Sequence, residues 1–510
     1  MTRRRGWAHG LALAVALLGP LRARAEDAFE IQELPVRGRT VAAALVELDG
    51  DGRADLLALN FRGTPPAERR EIQVRFQRAD GAFGLAADVV LPLPPDAAAY
   101  DLAALGPGPA EELVLLRRDR VTRLSLRGRK ARWRDVDVGG PTLAIAPDER
   151  GLDRMILVRR GIEGGPRLTL PGLGELLVTR PDGGPVERLR LGARANYFLP
   201  PRPGPLISEN ELELYLDLPR IDLGDVDGDG LVDLVASQRH EIRVFRQRPG
   251  GQLPEAADRI LPLHRLSAED HVRGSGSVRV AVADLDGDGR ADLLLAHASQ
   301  GLLNARSETT LHLNRGGEWN LAEPDQRFVT EGGFSTEELL DLDGDGRLEL
   351  ISVRVPLGVL ELAEILITRS IDAHVTLRRP VAGGPFADEP SYRRKFSVPF
   401  SFETFRPRGF LGNLAGDWNG DGLRDLLLSG DGRAIEIRLG AERKPFSRRA
   451  VRQRLDTNGR VRLGDLEGDG LPDFVLFDPR RADAPIRVGR NRGALPGTPL
   501  RAGLRARPER

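Results

Sequence analysis

The chain has 510 residues, with 75 basic against 75 acidic side chains, 40% hydrophobic residues and no cysteine. Balanced charge excludes a partner held by bulk electrostatics, so neither nucleic acid nor an anionic membrane surface is expected. Without cysteine there is no disulfide framework, and stability has to come from core burial or from bound metal.

Residues 1–25 read as a secretory signal: Arg3, Arg4 and Arg5 precede the apolar run Leu11 to Gly19, and Ala23 to Ala25 ("ARA") offers a small-residue cleavage site. The run is too short to span a bilayer, and no later one is long enough, so the mature chain from Glu26 is expected to be exported, periplasmic or extracellular, without a membrane span. Next comes "FEIQELPV" (Phe29 to Val36), a lone strand with no repeat of its own.

From Glu47 onward a nine-residue string recurs: "ELDGDGRAD", "DVDGDGLVD" from Asp225, "DLDGDGRAD" from Asp284, "DLDGDGRLE" from Asp341, "DWNGDGLRD" from Asp417 and "DLEGDGLPD" from Asp465. Short β-rich apolar runs flank each copy, and two further strand patterns follow, which makes a four-stranded antiparallel unit of a propeller blade. Two decayed units fit between the first and second copies: "AALGPGPAEELVLL" (Ala103 to Leu116) and "LAIAPDERGLDRMILV" (Leu143 to Val158). The expected fold is all-β, a propeller over residues 26–495 with eight blades, or seven if one decayed unit is an insertion, followed by a flexible Arg/Pro-rich tail at 496–510. The last unit supplies three strands, so the lone N-terminal strand is expected to complete its blade and close the ring of a monomer, removing an open sheet edge.

The repeat resembles the FG-GAP or VCBS unit, the calcium-binding propeller repeat of integrin α-subunit heads and of many secreted bacterial proteins. The resemblance covers nearly the whole mature chain.

Two adjacent carboxylates about 4 Å apart repel by roughly 4 kcal/mol at an effective dielectric of 20, so the string needs compensation. Hard oxygens at alternate positions, a glycine at the bend and a backbone carbonyl between them suit Ca²⁺. The candidate ligands are Asp225, Asp227, Asp229 and Asp233 with the Leu231 carbonyl; Glu47, Asp49, Asp51 and Asp55 with that of Arg53; and Asp284, Asp286, Asp288 and Asp292 with that of Arg290. The remaining sets are Asp341, Asp343, Asp345 and Glu349 with Arg347; Asp417, Asn419, Asp421 and Asp425 with Leu423; and Asp465, Glu467, Asp469 and Asp473 with Leu471. Up to six Ca²⁺ sites follow, with weaker binding expected where Asn419 removes a charge and where Glu47 is too long. An EF-hand fails at every copy, because its twelfth position holds Ala58, Ala236, Leu295, Ser352, Leu428 or Leu476 instead of an acid.

In an up-and-down blade the loops between strands one and two share a face with those between three and four, so the acidic loops lie together. Three insertions map to the opposite face. "ARANYFLPPRPGPLISEN" carries Tyr197 and Phe198, "PLGVLELAEILITRS" has Val359, Leu362 and Leu366 at helical spacing, and "FSVPFSFETFRPRGF" carries Phe400, Phe402, Phe405, Arg406 and Arg408. Aromatic and arginine side chains on the loops of a rigid scaffold are common binding anchors, and the integrin resemblance implies ligand binding on that face. The function expected is a binding or adhesion module for protein or glycan, with no catalytic motif. The alternative is a carbohydrate-active enzyme, a polysaccharide lyase or glycosidase, built from some of the many carboxylates.

Overall fold

The computed structural model describes residues 27–64, 67–143, 152–192, 196–198, 213–215, 218–266, 276–299, 306–356, 358–381, 384–402, 406–409, 412–430, 432–441 and 445–498. Residues 1–25 and 499–510 therefore lie outside the described part.

Eight sheets, each with four antiparallel strands at its heart, follow one another around a ring. Blade 1 runs through Arg39–Val46, Asp55–Arg62, Arg69–Arg75 and Val89–Pro92, and the later blades repeat that order. First strands of successive blades touch, as Ser277–Ala283 does Arg220–Gly224, which sets them around the axis. Second strands are sandwiched by both neighbouring blades, and Asp55–Arg62 and Asp233–Ser237 are accordingly buried almost throughout. Rim strands face solvent on one side, and Gln326–Glu331 alternates half-buried with exposed residues. One buried apolar cluster occupies each of the eight contacts between neighbouring blades, so among the described residues the ring is closed.

A bulky residue in the turn between strands three and four plugs several of these contacts. Phe83, Leu253, Trp319 and Phe386 each enter the cluster shared with the preceding blade, and Phe446 stacks edge-on against Tyr392 of blade 6 at 5.8 Å.

Closure follows the sequence expectation. Phe29–Leu34 pairs antiparallel with Ile486–Asn491 and becomes the fourth strand of blade 8. Phe29 packs edge-on against Trp418 and Phe474, with ring centres 5.4 and 5.1 Å away. Its backbone is clamped by Gln453 of blade 7, whose side chain accepts the Phe29 N–H and donates to the Phe29 carbonyl, both at 2.8 Å. Gln32 makes the same double bond to Phe83 of blade 1, at 2.8 and 3.0 Å. One strand is thereby tied to three blades.

The second decayed unit is not where the sequence put it. Residues 144–151 lie outside the description, and Asp153–Arg154 runs parallel to the first strand of blade 2 on its axial side. Blade 3 starts only at Val158–Arg159 and turns within 160–166 into Arg167–Gly172. Leu152 and Leu157 explain the shift: they are buried in the clusters between blades 1 and 2 and between blades 2 and 3, while Asp101 accepts the Leu157 N–H at 2.9 Å. At the other end, residues 496–498 of the expected tail pack on the blades, since the Pro496 carbonyl accepts a bond from Asn419.

A titratable group sits in the blade 5 core. His312 is buried, with Nδ1 donating to the Asn320 carbonyl at 2.8 Å and Nε2 placed 2.9 Å from the Thr310 hydroxyl, which can donate to it. Both nitrogens are satisfied in the neutral ring, and desolvation lowers its pKa from the usual 6.5. A His pKa depressed by folding contributes stability that is complete above the unfolded value and is lost as pH falls below it. Lowering the pH from 7.5 to 5.5 should therefore reduce the melting temperature of the wild type more than that of His312→Asn; parallel losses in the two proteins would argue against this role.

Candidate functional site

Each acidic loop is shaped by its own carboxylates. Asp225 accepts the N–H groups of Gly228 and Gly230 at 2.7 and 2.8 Å, and the same pair of bonds recurs at Asp284, Asp341, Asp417 and Asp465. Both glycines are left-handed, at φ 78° for Gly228 and 85° for Gly230, where a side chain would be strained. The ninth residue anchors the loop to the blade: Asp233 accepts the Val226 N–H at 2.9 Å and, from the end of strand three, the Gln247 N–H at 2.9 Å. Neighbouring loops are tied directly, since Ala291 donates from its N–H to the Asp225 carbonyl and Glu111 to that of Glu47, at 2.7 and 2.8 Å.

The loops concentrate negative charge where water is scarce. Burial, reinforced by the neighbouring loop carboxylates, pushes Asp55, Asp425 and Asp473 up to about 7 and Asp233 and Asp292 up to about 6. In the loops of blades 1, 4, 5 and 6 three carboxylates bring one oxygen each within 4.8 Å of one another: Glu47, Asp49 and Asp55; Asp225, Asp227 and Asp229; Asp284, Asp286 and Asp292; Asp341, Asp343 and Glu349. Two oxygens in these sets, Oε2 of Glu47 and Oδ1 of Asp343, are buried without a hydrogen-bond partner. Close, hard and partly orphaned oxygens fit a divalent cation.

The six loops are unequal. In blade 1, Arg129 reaches across from blade 2 to place its Nε 2.7 Å from Asp49 and its Nη2 3.5 Å from Asp51, so a guanidinium already offsets that cluster. No motif points to this contact, because Arg129 is remote in the chain and belongs to a unit without the acidic string. In blade 7 the amide nitrogen of Asn419 lies 2.9 Å from Asp421, which uses one of that loop's carboxylates internally. In blade 8 Glu467 is drawn toward Arg490 at 3.7 Å.

Antiparallel pairing within every blade leaves the two-to-three and interblade connections on the face away from the acidic loops. Asn196–Phe198 forms a small hairpin with Glu213–Tyr215 between blades 3 and 4, so the backbone of Tyr197 and Phe198 is on that side, although their side chains lie outside the description. Phe400 and Phe402 are half-buried and stack edge-on at 5.4 Å, and Arg408 is exposed. Arg406 is described through its backbone strand alone, Arg406–Pro407, and Phe405 lies outside the described residues.

The side chains that protrude are plainer. Helix α1, Val359–Thr368, joins strands two and three of blade 6 and leaves Leu360, Leu366 and Ile367 82%, 66% and 83% exposed. Leu173 and Leu218, also on connections of that face, are more than half exposed. Periodicity located the helix; which of its flanks rests on the blade is a matter of packing. No helix among the described residues is long and apolar enough to cross a membrane.

A family model described as FG-GAP-like repeat matches residues 225–295, which take in the loops of blades 4 and 5. No curated protein matches the chain. Among solved structures it is similar to an Agrocybe aegerita lectin recognising non-reducing terminal N-acetylglucosamine, at 14% identity over 82% of this chain and 81% of that one, TM-score 0.33. It is also similar to the V. cholerae biofilm matrix protein Bap1, at 13% identity over 91% and 89%, TM-score 0.39. A Photorhabdus luminescens Tc holotoxin pore is 17% identical over 86% of this chain and 17% of its own length, TM-score 0.30. The matched segment is an FG-GAP-like repeat, and its loop-and-strand unit recurs around an eight-bladed β-propeller ring.

Proposed function

We propose that the protein is an exported binding module whose acidic loops hold Ca²⁺ to stiffen one face while the opposite face engages a protein or glycan. Export rests on the signal-like residues 1–25. Glu47 to Asp55, Asp225 to Asp233 and their four counterparts would hold the ions, which neutralise the loops and leave catalysis to none of them.

The observation that carries the binding reading is the exposure of Leu360, Leu366 and Ile367 on α1 of the face away from the acidic loops. Large apolar groups held in water by a rigid scaffold gain from being covered. Reading a glycan array with wild type and with Leu360→Ser/Ile367→Ser, alongside a polysaccharide-cleavage assay, tests it. Retention that falls about tenfold or more in the variant, with an unchanged melting curve, supports the binding face. Glycan retention untouched by the change rejects this face, and release of cleaved product favours an enzyme.

A further inference from the structure

In a chain whose charges balance, blade 7 carries a local excess of positive charge. From the start of its third strand to the end of its fourth, Ala434 to Arg454, the sequence holds seven basic and two acidic side chains, whereas the same span of blade 4, Glu241 to Pro262, holds four and three. Nearby acids are already engaged. Glu436 is shared between Arg452 at 2.8 Å and Arg438 at 3.9 Å, and Asp456, just beyond the fourth strand, faces Arg487 and Arg481 of blade 8 at 3.6 and 3.9 Å. Among the described residues Arg448, Arg449 and Arg454 have no acidic partner, and all three are exposed.

The excess is strung along one edge. Val451–Arg454 is the rim strand of the blade, and its alternation sends Gln453 inward to clamp Phe29 while Arg452 and Arg454 stay exposed on the other side, about 7 Å apart along the strand. Ala434 lies opposite Arg454, and the Leu455 N–H donates to the Arg433 carbonyl at 3.1 Å. Arg433, Arg452 and Arg454 thereby border one open groove of about 710 Å³, which has no aromatic ring in its lining. The connection from blade 6 adds a fourth arginine. Gly409, left-handed at φ 80°, has no room for a side chain against Ser429 and Gly432, and its N–H donates to Asn458 at 3.2 Å, which seats the exposed Arg408 beside the turn that carries Arg433.

Guanidinium groups in a row, rather than converging on one point, match anionic groups that repeat along an extended chain. The groove offers charge and N–H donors without the stacking rings that hold single-stranded nucleic acid, and the chain as a whole has no net positive charge to draw a duplex. We propose that the rim of blade 7 is a binding site for an acidic polysaccharide, whose carboxylate or sulfate groups pair with Arg452 and Arg454 and, at the end of the groove, with Arg433 and Arg408. The site takes up the glycan side of the proposed function but shares no residue with α1 or with the acidic loops, so either reading can fail alone.

Surface plasmon resonance of the full chain over immobilised polygalacturonate, dextran sulfate, uncharged dextran and single-stranded DNA tests it. The wild type should bind one of the two charged polysaccharides, more weakly as salt rises, and leave dextran alone; the polymer bound names the anionic group. Arg452→Gln/Arg454→Gln should weaken that binding by about tenfold or more, the scale of losing charge-assisted hydrogen bonds, with an unchanged melting curve. Arg454→Gln alone, which strands no acidic partner, should weaken it by about threefold or more and serves if the double variant is unstable. Arg132→Gln/Arg134→Gln removes the same charge from the exposed rim strand of blade 2 and should bind as the wild type does. No binding to either charged polysaccharide, or equal losses in the two double variants, overturns the proposal. DNA bound more tightly than both polysaccharides overturns it in favour of a nucleic-acid partner.

Discussion

Stripping divalent metal with a chelator should lower the melting temperature by about 10–15 °C, and returning Ca²⁺ should restore it. A ligand present at 100 times its Kd stabilises by about 2.7 kcal/mol per site, and a chain of this length unfolds with an entropy near ~1 kcal/mol per degree, so four to six occupied loops give that shift. The physical source is visible in the loops. Asp55, Asp425 and Asp473 are pushed up to about 7 by burial among other carboxylates, so at neutral pH the unmetallated loops keep charge that folding disfavours. Arg129, Arg246 and Arg379 relieve some of it, at 2.7, 3.4 and 3.8 Å from Asp49, Asp227 and Asp343. A melting curve that does not move in chelator would mean that these arginines and the backbone N–H groups suffice.

The second large effect concerns closure. Phe29→Ala should cost about 3–5 kcal/mol, the usual range for truncating a buried aromatic residue, and lower the melting temperature by about 3–5 °C. Phe29 is 2% exposed, lies between Trp418 and Phe474, and starts the strand whose backbone is clamped by Gln453. Deleting residues 27–36 should do more, since it leaves Ile486–Asn491 as a bare sheet edge and exposes the cluster shared by blades 8 and 1. Aggregation on expression or on mild warming is the expected readout. Asp27→Ala, exposed and outside the strand, is the control, and a Phe29→Ala curve that overlays it would contradict the closure role.

How much of this could be read beforehand varies from element to element. Phe29–Leu34 was legible because a strand without a blade and a blade lacking a strand stood at opposite ends of one pattern. The acidic loops were legible because alternating carboxylates with left-handed glycines leave few other conformations, as Gly228 and Gly230 show. Blade 3 was misplaced because Asp153 looks like a loop acid, whereas the structure pairs it with Arg460 of blade 8 at 3.3 Å, 307 positions away. The inequality of the loops was out of reach for the same reason: Arg129 meets Asp49 only after the sheets have formed. On the opposite face, aromatic richness drew attention to Phe400 and Phe402, yet these rings cover each other while Leu360 and Ile367 remain in water. Side-chain exposure at the end of a blade is set by packing, and composition does not report it.

The most direct measurement is the calcium content of the folded chain. Equilibrium dialysis of the chelator-stripped protein against Ca²⁺ should reach between four and six bound ions per chain, four for the loops with three close carboxylates and six if the loops of blades 7 and 8 also fill. Asp225→Asn should reduce the count by one. No uptake, or uptake unaffected by that substitution, would contradict the assignment of these loops as metal sites.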